Sequence, residues 1–368
     1  EKQILMRFIL LFFGFIFLSS CDPKTPTSSI ILPTNLNTNI TVDEGLVELQ
    51  ATADGANFYS FMFYENGDSS YVESNDGTAF YTYSAVGEYL VKIRAHVTVY
   101  DFIELTEFIA IIDVGYTGGI PTTGYITPDN YPGYSLVWSD EFNGSSLSPD
   151  WVHDIGNGSW GWGNNELQYY KEENTVVEDG LLKITAKEES AASFNYTSSR
   201  IKTQGIRSFK YGRIDVRAAL PYGQGYWPAI WMLGENISAV GWPYCGEIDI
   251  MELVGGGPFN DRTVYGTVHW SDNGTHASYG DASSLPEGEI YAEEFHVFSI
   301  IWDTTSIRFL RDDIQYHDIN ISGANLNAFQ NNFFFILNVA VGGNWPGNPN
   351  QNTVFPQTMA VDYVRVFQ

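Results

Sequence analysis

Cysteine is almost absent from this chain. Cys21 and Cys245 are the only two in 368 residues, so a disulfide-stapled scaffold is excluded and stability has to come from packing. Cations are scarce as well. Lys and Arg total 18 against 44 Asp and Glu, and the formal charge of −26 repels phosphate backbones and leaves too few cations to displace condensed counterions. Nucleic acid is thereby excluded as a partner, heavily sulfated polysaccharides are disfavoured by the same sign, and a neutral glycan fits best. Long amphipathic helical patterns are missing too. What is plentiful is aromatic: 10 Trp, 23 Tyr and 24 Phe make up 15% of the residues. That mixture suits a ring-packed β core and equally suits sheets that stack rings against sugars; composition does not separate the two.

The apolar run at residues 9–18 follows Lys2 and Arg7 and is ten residues long, half of the roughly 20 a permanent membrane span needs. It ends in Leu18-Ser19-Ser20-Cys21, which resembles a bacterial lipoprotein cleavage box. Residues 1–21 are therefore expected to be a signal peptide with Cys21 as the lipidated residue. The protein is expected to be exported and held by a lipid anchor at the cell envelope, on the outer membrane or cell surface. Residues 22–30 read as a Pro-rich tether, and Cys245, left without a partner, reads as a buried inert thiol.

Two β units are predicted beyond the tether, at 31–115 and 134–368. The first has short strand-like runs at 58–64, 79–83, 89–99 and 103–114, separated by turn clusters, and implies a small immunoglobulin-like β-sandwich. Its segment 81–91 resembles a strand of the PKD modules found in exported polysaccharide-degrading proteins; with no catalytic constellation in it, it reads as a spacer. Residues 116–133, rich in Gly, Thr and Pro, read as a linker. The second unit carries β-branched and aromatic runs at 181–186, 212–220, 227–233, 248–253, 263–270, 296–302, 307–310, 333–340 and 359–367. The fold class is thus all-β, with a catalytic jelly-roll sandwich of about 14 strands, concanavalin-like, whose groove lies on one sheet face.

The segment Gly246-Glu247-Ile248-Asp249-Ile250-Met251-Glu252-Leu253 is the most informative one. Strand alternation puts Glu247 and Asp249 on one face and Ile248 and Ile250 on the other. Glu252 would point away in a regular strand, but a single β-bulge near Met251 returns it to the face of Glu247. Two carboxyl groups so placed suit a retaining glycosidase, which needs them about 5–5.5 Å apart, one to attack and one to protonate. Asp249 between them adds a like charge that raises the acid's pKa.

The hexapeptide Glu-Ile-Asp-Ile-Met-Glu (247–252) resembles the active-site signature of glycoside hydrolase family 16, in its laminarinase-like branch with the inserted residue. Ordered matches run from 136–144 to 361–366 and include 161–170, 199–205, 211–221, 225–234, 265–270 and 337–347. The resemblance implies an endo-acting hydrolase of β-1,3-glucan, with mixed-linkage β-1,3-1,4-glucanase and a non-catalytic glycan-binding jelly roll as alternatives. It implies Glu247 as nucleophile, Glu252 as acid/base, Asp249 as their assistant and His269 as the imidazole beside the acid/base. Trp227 and Trp231 would line the subsite of the attacked sugar, Asn165, Glu166 and Arg200 would bind sugars on the non-reducing side, and Trp345 would rim the groove. No catalytic cofactor is expected. A structural calcium ion is, held by Glu141, Asp362 and a backbone carbonyl near Gly180. A monomer acting on a neutral β-glucan completes the expectation.

Overall fold

A computed structural model describes residues 30–368, except 44, 66, 84–86, 112–118, 257–259 and 352. Cys21 and most of the tether lie outside the described residues. The chain divides into two compact units on either side of residue 117.

The first unit has seven strands: β1 (Thr34–Asp43), β2 (Leu46–Asp54), β3 (Phe58–Glu65), β4 (Asp68–Ser74), β5 (Thr78–Thr82), β6 (Gly87–His96) and β7 (Phe102–Ile111). They form two antiparallel sheets, ordered β1-β2-β5 and β4-β3-β6-β7. Alternate residues of the facing strands, Val47 and Leu49, Phe61 and Phe63, Val91 and Ile93, are wholly buried in one core between the sheets. The period-two pattern read from 58–64 and 89–99 is this core. Strands β1 and β4 escape such reading because they are rich in Asn, Ser and Thr and lie at sheet edges, where packing does not demand apolar alternation.

The second unit holds β8 (Leu136–Asp140), β9 (Val152–Asp154), β10 (Gln168–Tyr170), β11 (Thr175–Glu178), β12 (Leu181–Ala191), β13 (Phe194–Ser198), β14 (Arg200–Lys202), β15 (Gly212–Ala219) and β16 (Tyr226–Gly234). It continues with β17 (Glu247–Leu253), β18 (Thr263–Asp272), β19 (Thr275–Ser284), β20 (His296–Trp302), β21 (Ser306–Arg311), β22 (Ile314–Asn320), β23 (Phe333–Val341) and β24 (Gln357–Phe367). A ten-stranded sheet follows the path β10-β13-β12-β24-β15-β20-β21-β22, with β11 on β12 and β8 on β24; a seven-stranded sheet is ordered β19-β18-β17-β16-β23-β14-β9. One apolar core drawn from both sheets joins them, including Ile214, Val216, Phe298 and Ile300 from the first and Ile230, Met232, Ile248, Ile250 and Leu337 from the second. Strand β23, an interior strand between β16 and β14, is buried at all nine positions. Every apolar run read from the sequence of this unit is a strand; among the additional ones Thr275–Ser284 is polar and largely exposed, and Gln168–Tyr170 and Arg200–Lys202 are three-residue strands too short to show a period.

The segment read as a linker at 116–133 needs correcting. Its described part from Ile120 onward packs on the second unit: Tyr125 N–H donates to the Phe295 carbonyl at 2.8 Å, Thr127 bonds the Tyr363 hydroxyl at 2.7 Å, and Tyr131 O–H donates to Asp215 at 2.8 Å. Gly124 bridges to Phe295 at φ 132, so close that a Cβ would meet the Phe295 carbonyl at 2.1 Å. Gly, Pro and Thr signalled irregular backbone correctly. Irregular backbone still packs once its polar groups find partners.

Candidate active site

Strand β17 carries the carboxyl groups and β16 and β18 flank it. Opposite β16 the register runs Leu233↔Glu247, Met232↔Ile248, Trp231↔Asp249, then Ile230↔Met251 and Ala229↔Glu252, so Ile250 is the extra residue. Opposite β18 the ladder passes from Asp249↔Thr267 to Glu252↔Tyr265. The bulge expected near Met251 is therefore present, centred one residue earlier. Ile248, Ile250, Met251 and Leu253 enter the core, while Glu247, Asp249 and Glu252 line one groove on the opposite face.

That groove has a cavity volume of about 520 Å³ and is open to solvent. Trp227 and Trp231, four residues apart on β16, both line it, because their neighbours Tyr226, Ile230 and Met232 turn into the core. Trp227 Nε1–H donates to Glu252 Oε1 at 2.9 Å, and Trp242 Nε1–H donates to Glu247 Oε2 at 3.0 Å. His269 places Nε2 3.1 Å from Asp249 Oδ2 and 3.8 Å from Glu247 Oε1. Atoms of Glu247, Asp249 and His269 lie within 4.8 Å of one another, a spacing a metal ion can bridge; the indole donor on Glu247 and the shared imidazole suit proton chemistry equally, and we assign no ion there.

Burial sets the electrostatics. It pushes Glu247 well above the ordinary carboxyl range, reinforced by the Asp249 charge and opposed by His269 and the Trp242 hydrogen bond. Glu252 is pushed up to about 8, first by burial and then by Asp249, with the Trp227 hydrogen bond acting the other way. Asp249, 3% exposed, is raised to about 8 by burial. Three carboxyls in one low-dielectric patch cannot all ionise together near neutrality, so the cluster holds protons in common, as an acid and a nucleophile working side by side require.

The remaining positions fall unevenly. Glu166 lines the groove and is 8% exposed; it accepts from Asn164 Nδ2 at 3.1 Å, Gln168 Nε2 at 2.7 Å and Tyr170 O–H at 3.3 Å. Arg200 also lines it, but its ion-pair partner is Asp154 at 3.1 Å, and its guanidinium stacks over Trp162 and Trp231 at 4.4 and 4.8 Å. Asn165 does not line the groove. Its Nδ2–H donates to Asn344 Oδ1 at 2.8 Å, tying the loop at 161–165 to the loop of Trp345, and the neighbouring Asn164 takes the lining position. Trp345 packs edge-on to Trp227, with centroids 5.6 Å apart. Sequence reading missed Trp162, Trp242, His276 and Asn338, all groove-lining. Trp242 and His276 sit in a loop and on an exposed edge strand, where no apolar periodicity marks them.

The residues expected to hold calcium lie on or beside strands of one sheet, where β8 and β12 both pair with β24. Gly180 is the second residue of a two-residue turn, Asp179 at φ 56 and Gly180 at φ 76, which joins β11 to β12; a Cβ on it would lie 3.8 Å from Asn143 Oδ1, two residues after Glu141. Asp362 lies on β24 beyond the last β12 partner, Val361, and is the residue that the β15 register skips. Its carboxylate, however, accepts from Arg217 Nη1 at 2.7 Å, and both oxygens of Glu141 accept from Arg365 at 2.9 and 2.8 Å. The oxygens fitting a hard cation at this junction are therefore those of the backbone and not two neutralised carboxylates. Cys245 is buried, with its thiol pushed up to about 11 by burial, as an inert thiol should be.

The model of Glycosyl hydrolases family 16 matches residues 162–365, more than half of the chain. The alpha subunit of clotting factor G from Tachypleus tridentatus is 44% identical over 240 residues, covering 64% of this chain and 34% of its own length, so the chain spans about a third of that relative. The beta-glucanase of Rhodothermus marinus is 40% identical over 268 residues, covering 68% of this chain and 91% of its own. The laminarinase catalytic domain of Thermotoga maritima superimposes with a TM-score of 0.59 at 48% identity, covering 64% of this chain and 98% of that one. The carboxylate strand, its bulge and these similarities lie in the same stretch, and the chain belongs to glycosyl hydrolase family 16.

Proposed function

We propose that the chain is an endo-acting, retaining β-glucan hydrolase whose preferred substrate is β-1,3-glucan. The observation that carries this reading is the return of Glu252 to the face of Glu247 across the Ile250 bulge, each glutamate under its own indole N–H donor. Glu247 attacks the anomeric carbon as the glycosidic C–O bond breaks, and Glu252 delivers its proton to the leaving oxygen. In the second step Glu252 takes a proton from water, whose oxygen displaces Glu247, and configuration is retained. An open groove accepts a chain from within, and the rings of Trp227, Trp231 and Trp345 offer platforms to the apolar faces of glucose. The relatives' names, laminarinase and beta-glucanase, support glucan as the substrate, and the second name leaves mixed-linkage glucan as the alternative. A purely glycan-binding role is disfavoured because both glutamates are present and supported.

We further propose a structural calcium at the junction of Glu141, Gly180 and Asp362, a spacer role for the PKD-like first unit, and export with a lipid on Cys21.

Early-time proton NMR of laminarin hydrolysis should show the β-anomer first, while an α-anomer would make the enzyme inverting and remove the nucleophile from Glu247. Glu247→Ser should lose at least about a thousandfold in kcat, and Glu252→Ala should lose most on glucan, keep activity on aryl glycosides with good leaving groups, and be rescued by azide. The pH profile should fall on its alkaline side near 8 as Glu252 loses its proton. Asp249→Asn removes a like charge, so both carboxyl pKa values drop and both limbs should move to lower pH; unmoved limbs would exclude that coupling. Chelation should lower the melting temperature of the wild type, since an ion that binds only the folded state stabilises it by mass action. Equal melting with and without chelator would remove the ion. A clickable fatty acid should label the protein in cells and not Cys21→Ala; equal labelling of both would remove the anchor.

A further inference from the structure

On the solvent side of His269 stands a second histidine. His276, on β19, pairs its Nε2 with His269 Nδ1 at 2.9 Å, and the two rings stack with centroids 5.1 Å apart and planes 18° apart. The same ring packs against Trp242, with centroids 4.7 Å apart. His276 therefore touches both groups that face Glu247 from this side: the imidazole, whose Nε2 lies 3.8 Å from Glu247 Oε1, and the indole that donates to Oε2. Strand β18 brings His269 opposite Glu247, and β19 brings His276 within reach through the tight hairpin that pairs Ser271 with His276.

A neutral imidazole has one N–H and one lone pair, and the partners decide which nitrogen carries which. Asp249 Oδ2 is buried without a hydrogen-bond partner, and His269 Nε2 is 3.1 Å from it. Attack requires an ionised carboxyl in this pair, and a lone pair on Nε2 would face that carboxylate, so in the reactive state the proton belongs on Nε2. Nδ1 must then accept, and the atom presented to it is His276 Nε2, which has to be the donor. Burial and the neighbouring His269 both hold the His276 pKa below its ordinary value, which keeps it neutral.

We propose that His276 is a positioning residue that fixes the Nε2–H tautomer and the ring plane of His269, and so keeps an N–H on the side of the Asp249–Glu247 pair. This rests on the assignment of Glu247 and Glu252 above, but its test has a readout independent of turnover. Among the described residues, the carboxyl groups that act on His269 are Asp249, Glu247 and Glu252, all from β17.

The chain has six histidines, so selective ¹⁵N labelling of their rings gives a small spectrum in which long-range ¹H–¹⁵N correlations read each tautomer; His269→Gln and His276→Gln assign the two signals. In the wild type near neutral pH, His269 should show a protonated Nε2 and an unprotonated Nδ1. In His276→Ala that preference should be lost, and kcat on laminarin should fall about five- to tenfold with KM unchanged. His276→Gln, whose amide still donates, should restore the tautomer and most of kcat, whereas His276→Glu, an acceptor when ionised, should draw the proton to Nδ1 and restore neither. A wild-type His269 protonated on Nδ1, or an Ala variant with tautomer and kcat unchanged, would overturn the proposal. A wild type that shows the expected tautomer and hydrolyses no β-glucan would sink the functional reading and leave the tautomer assignment standing.

Discussion

Everything at the groove depends on one extra residue in one strand. A regular β17 would send Glu252 into the apolar core, where an unpaired carboxyl is costly and cannot meet a substrate. With Ile250 inserted against β16, two successive apolar side chains, Ile250 and Met251, share the core side, and Glu252 returns to the groove beside Glu247 and Asp249. The bulge is affordable because both neighbours are long, well-paired strands. The β16–β23 ladder is unbroken from Tyr226↔Val341 to Gly234↔Phe333, and β18 continues its pairing on both sides of the irregularity.

Placing three acids together works against the fold that holds them. Carboxyls whose pKa is raised in the folded state bind protons more tightly there than in the unfolded chain. Their contribution is complete below the unfolded value near 4 and is lost as pH rises towards the folded values, about 8 for Asp249 and Glu252. Stability from this cluster thus declines over the pH range in which catalysis needs one ionised and one protonated carboxyl. The indoles of Trp227 and Trp242 offset part of that loss: each donates one hydrogen bond to one glutamate and gives the carboxylate form a partner without adding charge.

The same residues explain what sequence reading reached and where it stopped. Glu247, Asp249 and Glu252 were legible because strand period and the five-residue spacing conflict, and only a bulge reconciles them with a shared face. Trp227 and Trp231 were legible because a spacing of four keeps them on one side of β16. Asn165 was misplaced by one residue because the loop at 161–165 has no period to read: Trp160, Trp162 and Asn165 all take left-handed backbone, and the turn directs Asn164 to the groove and Asn165 to Asn344. Glu141 and Asp362 were paired by resemblance alone. That β8 and β12 both lie against β24 is a long-range pairing no local pattern encodes, and the arginine partners of the two acids were likewise invisible.

The groove's two sides therefore rest on different physics. On the Glu252 side, Trp227 is held by Trp345, which also packs on Tyr265, and the Trp345 loop is anchored through Gln224 Nε2–H donating to the Pro346 carbonyl at 2.6 Å. That support is ring packing with a backbone tie. On the Glu247 side, Trp242 and the His269–His276 pair form a polar arrangement on exposed structure, where ring stacking supplies only part of the order and the direction of each N–H supplies the rest. Packed indoles carry no directional demand beyond one N–H each, whereas a histidine pair keeps its order only while one ring donates and the other accepts. The nucleophile's surroundings are accordingly the half of the site ordered by the direction of its N–H groups, and the acid/base glutamate's ring wall is the half ordered by packing.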